Sequence, residues 1–231
     1  MGPIRLYGDQ TKPGILLLHG FHGNVVEMKE LAHKLHDKNY TVFVPLYPGH
    51  GKVSFETFLS TGIQEWYAHV LSFYNELRTQ YNQVIVAGLS LGGALTLKIG
   101  IDMNPYKMIT IAAPVLEFNE EQLYKHTSIE IKNHPEISYE EGYQQLLKMK
   151  LDINNFYRSI RENLDKINSS IFICQGLSDH ERFINSSTII HDRVSSIHKK
   201  IKTYENVEHV MTMSQKKEEI MQDIMNYIED K

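Results

Sequence analysis

The residues most able to do chemistry are Gly88-Leu89-Ser90-Leu91-Gly92, which directly follow the apolar run Val84-Ile85-Val86-Ala87. A serine hydroxyl serves as a nucleophile when a sharp strand-to-helix turn holds it clear of a sheet. Such a turn brings the strand and helix backbones close together, so the positions two before and two after the serine must be small. Gly88 and Gly92 supply that, and Gly93 and Ala94 keep the first helical turn thin. The turn also sets Ser90 at a helix N-terminus, where unpaired N–H groups favour developing negative charge. The N–H of Leu91 then points toward an oxyanion. The bland alternative is a glycine-rich turn with an incidental serine; the flanking strand and helix weigh against it.

An oxyanion needs a second donor, delivered by a neighbouring loop without side-chain obstruction. His19-Gly20-Phe21-His22-Gly23 follows the first strong apolar run, Gly14-Ile15-Leu16-Leu17-Leu18. The Phe21 N–H, beside Gly20, suits that donor role, and its ring is placed to line an acyl pocket. Taken alone, this loop reads equally well as a strand-ending turn. His19 and His22 lack companions at zinc-ligand spacing and are read as loop-structural or pocket-lining. Pro48-Gly49-His50-Gly51 is likewise read as a loop feature. No metal or cofactor is expected.

A serine nucleophile needs a base, and the chain holds 12 histidines. In strand–turn–serine–helix hydrolytic sites the partners come in the order Ser, Asp, His, on loops after late strands. The run Ile171–Gln175 leads into Gly176-Leu177-Ser178-Asp179-His180, and Lys200–Tyr204 leads into Glu205-Asn206-Val207-Glu208-His209-Val210. Asp179 would accept a hydrogen bond from one imidazole nitrogen and fix the tautomer. The other nitrogen of His209 would take the Ser90 proton and return it to the leaving alcohol. His180 is the rival histidine, but as a neighbour of Asp179 on one short loop it competes with the acid for space. Asp152, Asp165 and Asp192 are weaker acids, since each falls in a probable helix or in an inserted segment. A histidine base must be neutral, so acidification should abolish activity.

The elements that must position these groups alternate. Val25, Met28, Leu31, Ala32 and Leu35 recur at helical spacing between the strands Gly14–Leu18 and Thr41–Val44. Trp66, Val70, Phe73, Tyr74 and Leu77 mark a helix before the strand 83–87. A helix runs from after Ser90 to about Met103, and Lys107–Ala112 is a strand. Ser170–Gln175 and Lys200–Tyr204 are strands, with helices predicted over Ile184–Ile197 and Ser214–Tyr227. Continuous apolar strands alternating with helices predict an α/β fold, a mostly parallel central sheet with helices on both faces. The stretch of about 114–166 breaks the pattern and is read as a helical insertion within a single domain spanning 1–231. Two ordinary outer helices are the alternative.

Composition excludes more than it specifies. The 231 residues are 42% hydrophobic and 23% charged, with a net charge of −4 and no basic stripe, which argues against nucleic-acid binding. No apolar run approaches a membrane span. The single cysteine, Cys174, lies in the apolar run Ile171–Cys174 and reads as a small hydrophobe. A cytoplasmic location is the default expectation, with a small-molecule acyl ester as the ligand.

With these residues in place, the chain resembles the small bacterial carboxylesterases related to monoacylglycerol lipases. The likeness runs over nearly the whole chain. It includes Leu17-Leu18-His19-Gly20-Phe21-His22-Gly23, Pro48-Gly49-His50-Gly51, Ala87-Gly88-Leu89-Ser90-Leu91-Gly92-Gly93, Asp179 and His209-Val210. The resemblance implies an α/β-hydrolase core, a small helical cap, and cofactor-free hydrolysis of short- to medium-chain esters. Glu208 stands where these relatives usually have Gly, and Gly176-Leu177-Ser178 is a less typical approach to the acid. Leu116, Phe118, Leu123 and Ile129 are candidate acyl-pocket residues. A thioesterase or acyltransferase would use the same groups, and a ligand-binding protein on a hydrolase scaffold is the reading from another class.

Overall fold

The computed structural model describes residues 2–230. Seven strands form one sheet: β1 (Ile4–Leu6), β2 (Gly14–Leu18), β3 (Thr41–Val44), β4 (Val84–Leu89), β5 (Lys107–Ile111), β6 (Ser170–Gly176) and β7 (Lys199–Tyr204). Their spatial order is β1-β3-β2-β4-β5-β6-β7, and only β1 runs antiparallel to its neighbour. The chain passes from β2 to β3 on one side and then crosses to β4 on the other. The carboxyl ends of β2 and β4 therefore flank a topological switch point, where open α/β sheets bind ligands.

Side chains of a strand alternate between the two faces, and the core divides accordingly. Leu16, Leu18, Val84 and Val86 pack on one face with α3 (Ile63–Gln80), α4 (Leu91–Met103) and α7 (Glu181–Arg193). Ile15, Leu17, Ile85 and Ala87 pack on the other with α1 (Val26–Asp37) and α8 (Lys217–Glu229). Burial on both faces explains why these strands read as unbroken apolar runs. The five residues expected on one face of the first helix are all buried, with Val25 as its N-cap.

Several boundaries differ from expectation. The three-residue β1 and the five-residue α2 (Phe55–Leu59) are too short to leave a periodic signal. The helix expected over Ile184–Ile197 starts at Glu181, because the His180 ring nitrogen accepts the Arg182 N–H (3.1 Å) and caps it early. It stops at Arg193, where Val194 turns extended, and Ile197 lies 89% exposed. The last helix is likewise displaced, to Lys217–Glu229. Between β5 and β6 the chain forms α5 (Glu120–Lys132) and α6 (Tyr139–Glu162). Leu146, Ile153 and Ile160 of α6 join the core on the α3/α4 face. Among the described residues, no helix is long and apolar enough to cross a membrane.

Candidate active site

Strand register brings the site together. Leu18 pairs with Gly88, so the loop leaving β2 lies beside the turn leaving β4. Gly176 pairs with Tyr204, so the loops after β6 and β7 also leave side by side. The N–H groups of Leu177 and Ser178 donate to Tyr204 O (2.9 Å) and Val207 O (3.0 Å), tying those two loops together. A Cβ at Gly176 would collide with the Val207 carbonyl, so the approach to the acid is close as well as bonded.

Ser90 has φ +54° and ψ −117°, a conformation L residues rarely adopt and one that costs on the order of 1–3 kcal/mol. Its N–H donates to Ile111 O (2.8 Å), anchoring the turn to β5. The glycines flanking it are required by contact. A Cβ on Gly88 would meet the Gly92 carbonyl and lie 2.7 Å from Gly93 N, and one on Gly92 would strike the Leu18 carbonyl.

Three predicted side chains converge. His209 Nδ1–H donates to Asp179 Oδ2 (2.8 Å), and the Ser90 hydroxyl donates to His209 Nε2 (2.7 Å). The Asp179 side chain is 2% exposed, whereas that of His209 is 31% exposed. Asp179 is held by donors alone: His180 N–H to Oδ1 (2.7 Å) and Gln175 Nε2–H to Oδ2 (3.1 Å), besides the imidazole. A carboxylate so surrounded fixes the His209 tautomer that leaves Nε2 a free lone pair. The Phe183 ring packs at 4.0 Å on the imidazole and limits its rotation.

The loop expected to supply one oxyanion donor runs beside the serine turn. Gly20 approaches so closely that a Cβ there would be 3.6 Å from Ser90 Cβ. Among the described residues, the N–H groups of Phe21 and Leu91 pair with no protein acceptor, whereas Gly20 N–H and Ser90 N–H are both engaged. The Leu91 N–H is thus a free donor at the N-terminus of α4, and the Phe21 N–H a second one on the loop after β2; unpaired N–H groups favour negative charge.

The remaining histidines and the thiol have structural roles or none at the site. His19 is buried and neutral, its pKa pulled to about 3 by burial; it donates to Gly20 O and stacks on Tyr47 at 3.8 Å. His50 is similarly held near 4 by burial and donates to Pro48 O. His22 pairs with Glu130 of α5 at 2.6 Å. His180 caps α7 instead of reaching Ser90, and Glu208 is exposed. Cys174 is buried, and burial raises its thiol well above the ordinary range. Of the candidate pocket residues, Ile129 is 50% exposed, because it falls on the outer face of α5, while Leu123 of the same helix is buried.

Two residues at the site are not singled out by sequence reasoning. Gln175 follows the apolar run Ile171–Cys174 within β6, and a buried amide there is a signal that it has a structural partner. Glu27, in the first turn of α1, accepts the Gly20 N–H (2.8 Å), and its carboxylate fills the space a Gly23 side chain would need. Burial raises its pKa, against the opposing pull of that N–H and of His209. An acidic residue in a first helical turn is so common that its sequence position signals nothing.

A family model described as "Serine aminopeptidase, S33" matches residues 9–141. A carboxylesterase of Bacillus subtilis (strain 168) is 30% identical, the match covering 96% of this chain and 93% of that protein. A thermostable monoacylglycerol lipase of Bacillus sp. (strain H-257) is 29% identical over 92% and 88% of the two chains. The solved structure of metagenome-derived lipolytic enzymes, LipS and LipT, superposes with a TM-score of 0.82 at 20% identity, covering 99% and 97%. That of a monoacylglycerol lipase of Paleococcus ferrophilus gives 0.74 at 14% identity, covering 99% and 98%. These two likenesses speak to the α/β-hydrolase fold.

Proposed function

The chain belongs to the hydrolase family described as serine aminopeptidase, S33, and is a carboxylic ester hydrolase of the α/β-hydrolase fold; on that premise we propose that it cleaves short- to medium-chain acyl esters through an acyl-enzyme on Ser90. The observation that carries this reading is the unbroken relay from buried Asp179 through His209 to the Ser90 hydroxyl, with bonds of 2.8 and 2.7 Å.

The Ser90 oxygen attacks the ester carbonyl as its proton passes to His209 Nε2. The carbonyl oxygen becomes an oxyanion and accepts the N–H groups of Phe21 and Leu91, which no protein acceptor among the described residues engages. Asp179 stabilises the imidazolium. Collapse of the tetrahedral intermediate breaks the bond to the alkoxy oxygen, which leaves as an alcohol with the proton from His209. Water, deprotonated by His209, then attacks the acyl carbon; the bond to Ser90 Oγ breaks, the acid leaves, and His209 returns the proton to Ser90. In this reading α5 and α6, within the insertion of about 114–166, form a small cap over the site. Monoacylglycerols are among the esters expected, by analogy with the lipase from strain H-257. A lone buried thiol suits a cytoplasmic setting.

Turnover of p-nitrophenyl butyrate by the wild type and its loss in Ser90→Ala, with unchanged thermal stability, is the expected result. Full activity in Ser90→Ala would overturn the assignment.

A further inference from the structure

Arg182 presents a cation without an anion. It lies in the first turn of α7, three residues after Asp179. Its guanidinium carbon stacks 3.8 Å from the centroid of Phe118 and 4.4 Å from that of Phe183, with Tyr157 of α6 at 5.9 Å. One Nη1–H donates to Leu116 O (3.0 Å). Among the described residues this is its one side-chain hydrogen bond, and it has no carboxylate within salt-bridge distance. The other partly buried arginine, Arg161, shows the ordinary arrangement, with its guanidinium on Glu117. Burying a guanidinium without a counter-charge is unfavourable unless something satisfies it. Burial indeed depresses the Arg182 pKa, with Asp179 opposing the shift.

The position of this cation relative to the reacting atoms is informative. Phe183, on which Arg182 stacks, packs its ring on His209 at 4.0 Å. Phe183 thus touches both groups, and the guanidinium carbon lies no more than about 8 Å from the centroid of the imidazole bonded to Ser90. Leu116 and Phe118 belong to the segment leaving β5, and Tyr157 to the inserted helix α6, so Arg182 sits where the insertion joins the core. His126 of α5 has its pKa lowered by burial and by the charges of Lys150, Lys125 and Arg182, with Glu130 opposing. Three carboxylates of the surrounding elements are already paired: Asp179 with His209, Glu130 with His22 and Lys150, and Glu117 with Arg158 and Arg161.

We propose that Arg182 is a specificity-determining residue that receives an anionic group of the substrate, so that the enzyme prefers esters carrying a carboxylate or phosphate a short chain away from the scissile carbonyl. The inference rests on the Ser90 reading for the location of that carbonyl. Contact with two phenyl rings holds the planar fork in advance, which lowers the entropy lost when an oxyanion docks in bidentate fashion. An acyl chain of roughly four to six carbons falls within that upper bound of about 8 Å. The uncharged end of a simple fatty acyl group would instead leave the cation unsatisfied.

The test compares p-nitrophenyl butyrate with the mono-p-nitrophenyl ester of glutarate, which places a carboxylate on the acyl side. Butyryl glycerol phosphate against monobutyrylglycerol places a phosphate on the alcohol side. The expected result is a higher kcat/KM for the anionic member of one pair. That preference, read as the ratio of kcat/KM within the pair, should fall by roughly 10- to 100-fold in Arg182→Met. Arg182→Lys should retain part of it, because charge survives while the fork does not. The pair showing the effect identifies the side on which the anion sits. A structural staple would instead lower stability and leave the ratios unchanged, and unchanged ratios in Arg182→Met overturn the proposal. Binding separates this result from failure of the Ser90 reading. The intact Ser90→Ala protein should bind glutarate and glycerol phosphate unequally, and the tighter of the two should lose its affinity in the Arg182→Met double variant. Absence of binding to both would also overturn it, whatever the hydrolytic residue proves to be.

Discussion

Replacing Asp179 by Asn removes one charge while leaving the side-chain shape intact, and the hydrogen bonds around it decide the outcome. Two donors face Oδ2, from His209 and Gln175, and one faces Oδ1, from the exposed backbone N–H of His180. An Asn carbonyl placed at Oδ2 keeps two of the three bonds and leaves the His180 N–H to water. The opposite orientation keeps one and sets an amide N–H₂ against two donors. The first orientation therefore wins, and His209 keeps Nδ1–H and a free Nε2. What is lost is the carboxylate's attraction for the imidazolium that forms during attack. Two unit charges about 4 Å apart interact by about 4 kcal/mol at an effective dielectric near 20. At about 1.4 kcal/mol per decade, kcat should fall by on the order of 10³. KM should change little, since the charge acts on the transition state. The assay is initial-rate hydrolysis of p-nitrophenyl butyrate, with Asp179→Ala as a reference that also strands the His209 and Gln175 donors and should be at least as impaired. An Asp179→Asn enzyme within tenfold of wild type would refute the electrostatic role given to this carboxylate.

Other perturbations act through the same contacts. Gly88→Ala forces a Cβ into the Gly92 carbonyl and should destabilise the fold by about 3 kcal/mol or more, lowering Tm by roughly 10 °C in calorimetry; an unchanged Tm would contradict the close approach. Glu27→Ala strips the acceptor from Gly20 N–H and loosens the loop carrying Phe21, so kcat should fall by roughly 10- to 100-fold while Glu27→Gln, which keeps an acceptor, stays near wild type. Equal rates for the two variants would remove Glu27 from that positioning role. Glu130 is resisted by burial but held at about 2 by His22 and Lys150, below the ordinary carboxylate range. A depressed carboxylate contributes stability that is present above its unfolded pKa and is lost as pH falls from about 4.5 toward 2. Acid unfolding monitored by circular dichroism should show Glu130→Gln less stable than wild type at pH 6 and the difference closing near pH 2; a constant difference would contradict the linkage.

Much of the candidate site is legible in the sequence because its residues obey backbone constraints that sequence records directly. Gly88 and Gly92 sit where a Cβ has no room, and the order of Ser90, Asp179 and His209 along the chain matches the order of strand ends along the sheet edge. The central strands are legible for a similar reason, since burial on both faces removes polar residues from them. Gln175, Glu27 and Arg182 are not, because their roles depend on what lies across space from them. A glutamate in a first turn and an arginine near a helix start are ordinary in sequence, and only tertiary contact distinguishes them. The start of α7 is hidden because histidine is an uncommon N-cap, and its capping nitrogen is set by local geometry, not by a recurrent pattern.

A fluorophosphonate reacts with a serine only where a neighbouring base accepts its proton and donors receive the phosphoryl oxygen, so the modified residue reports the whole arrangement at once. Peptide mass spectrometry of the labelled wild type should find a single stoichiometric adduct on the peptide carrying Ser90, and His209→Ala should slow its formation by at least about a thousandfold. Stoichiometric modification of a different residue, or undiminished labelling of Ser90 without the imidazole, would contradict the assignment.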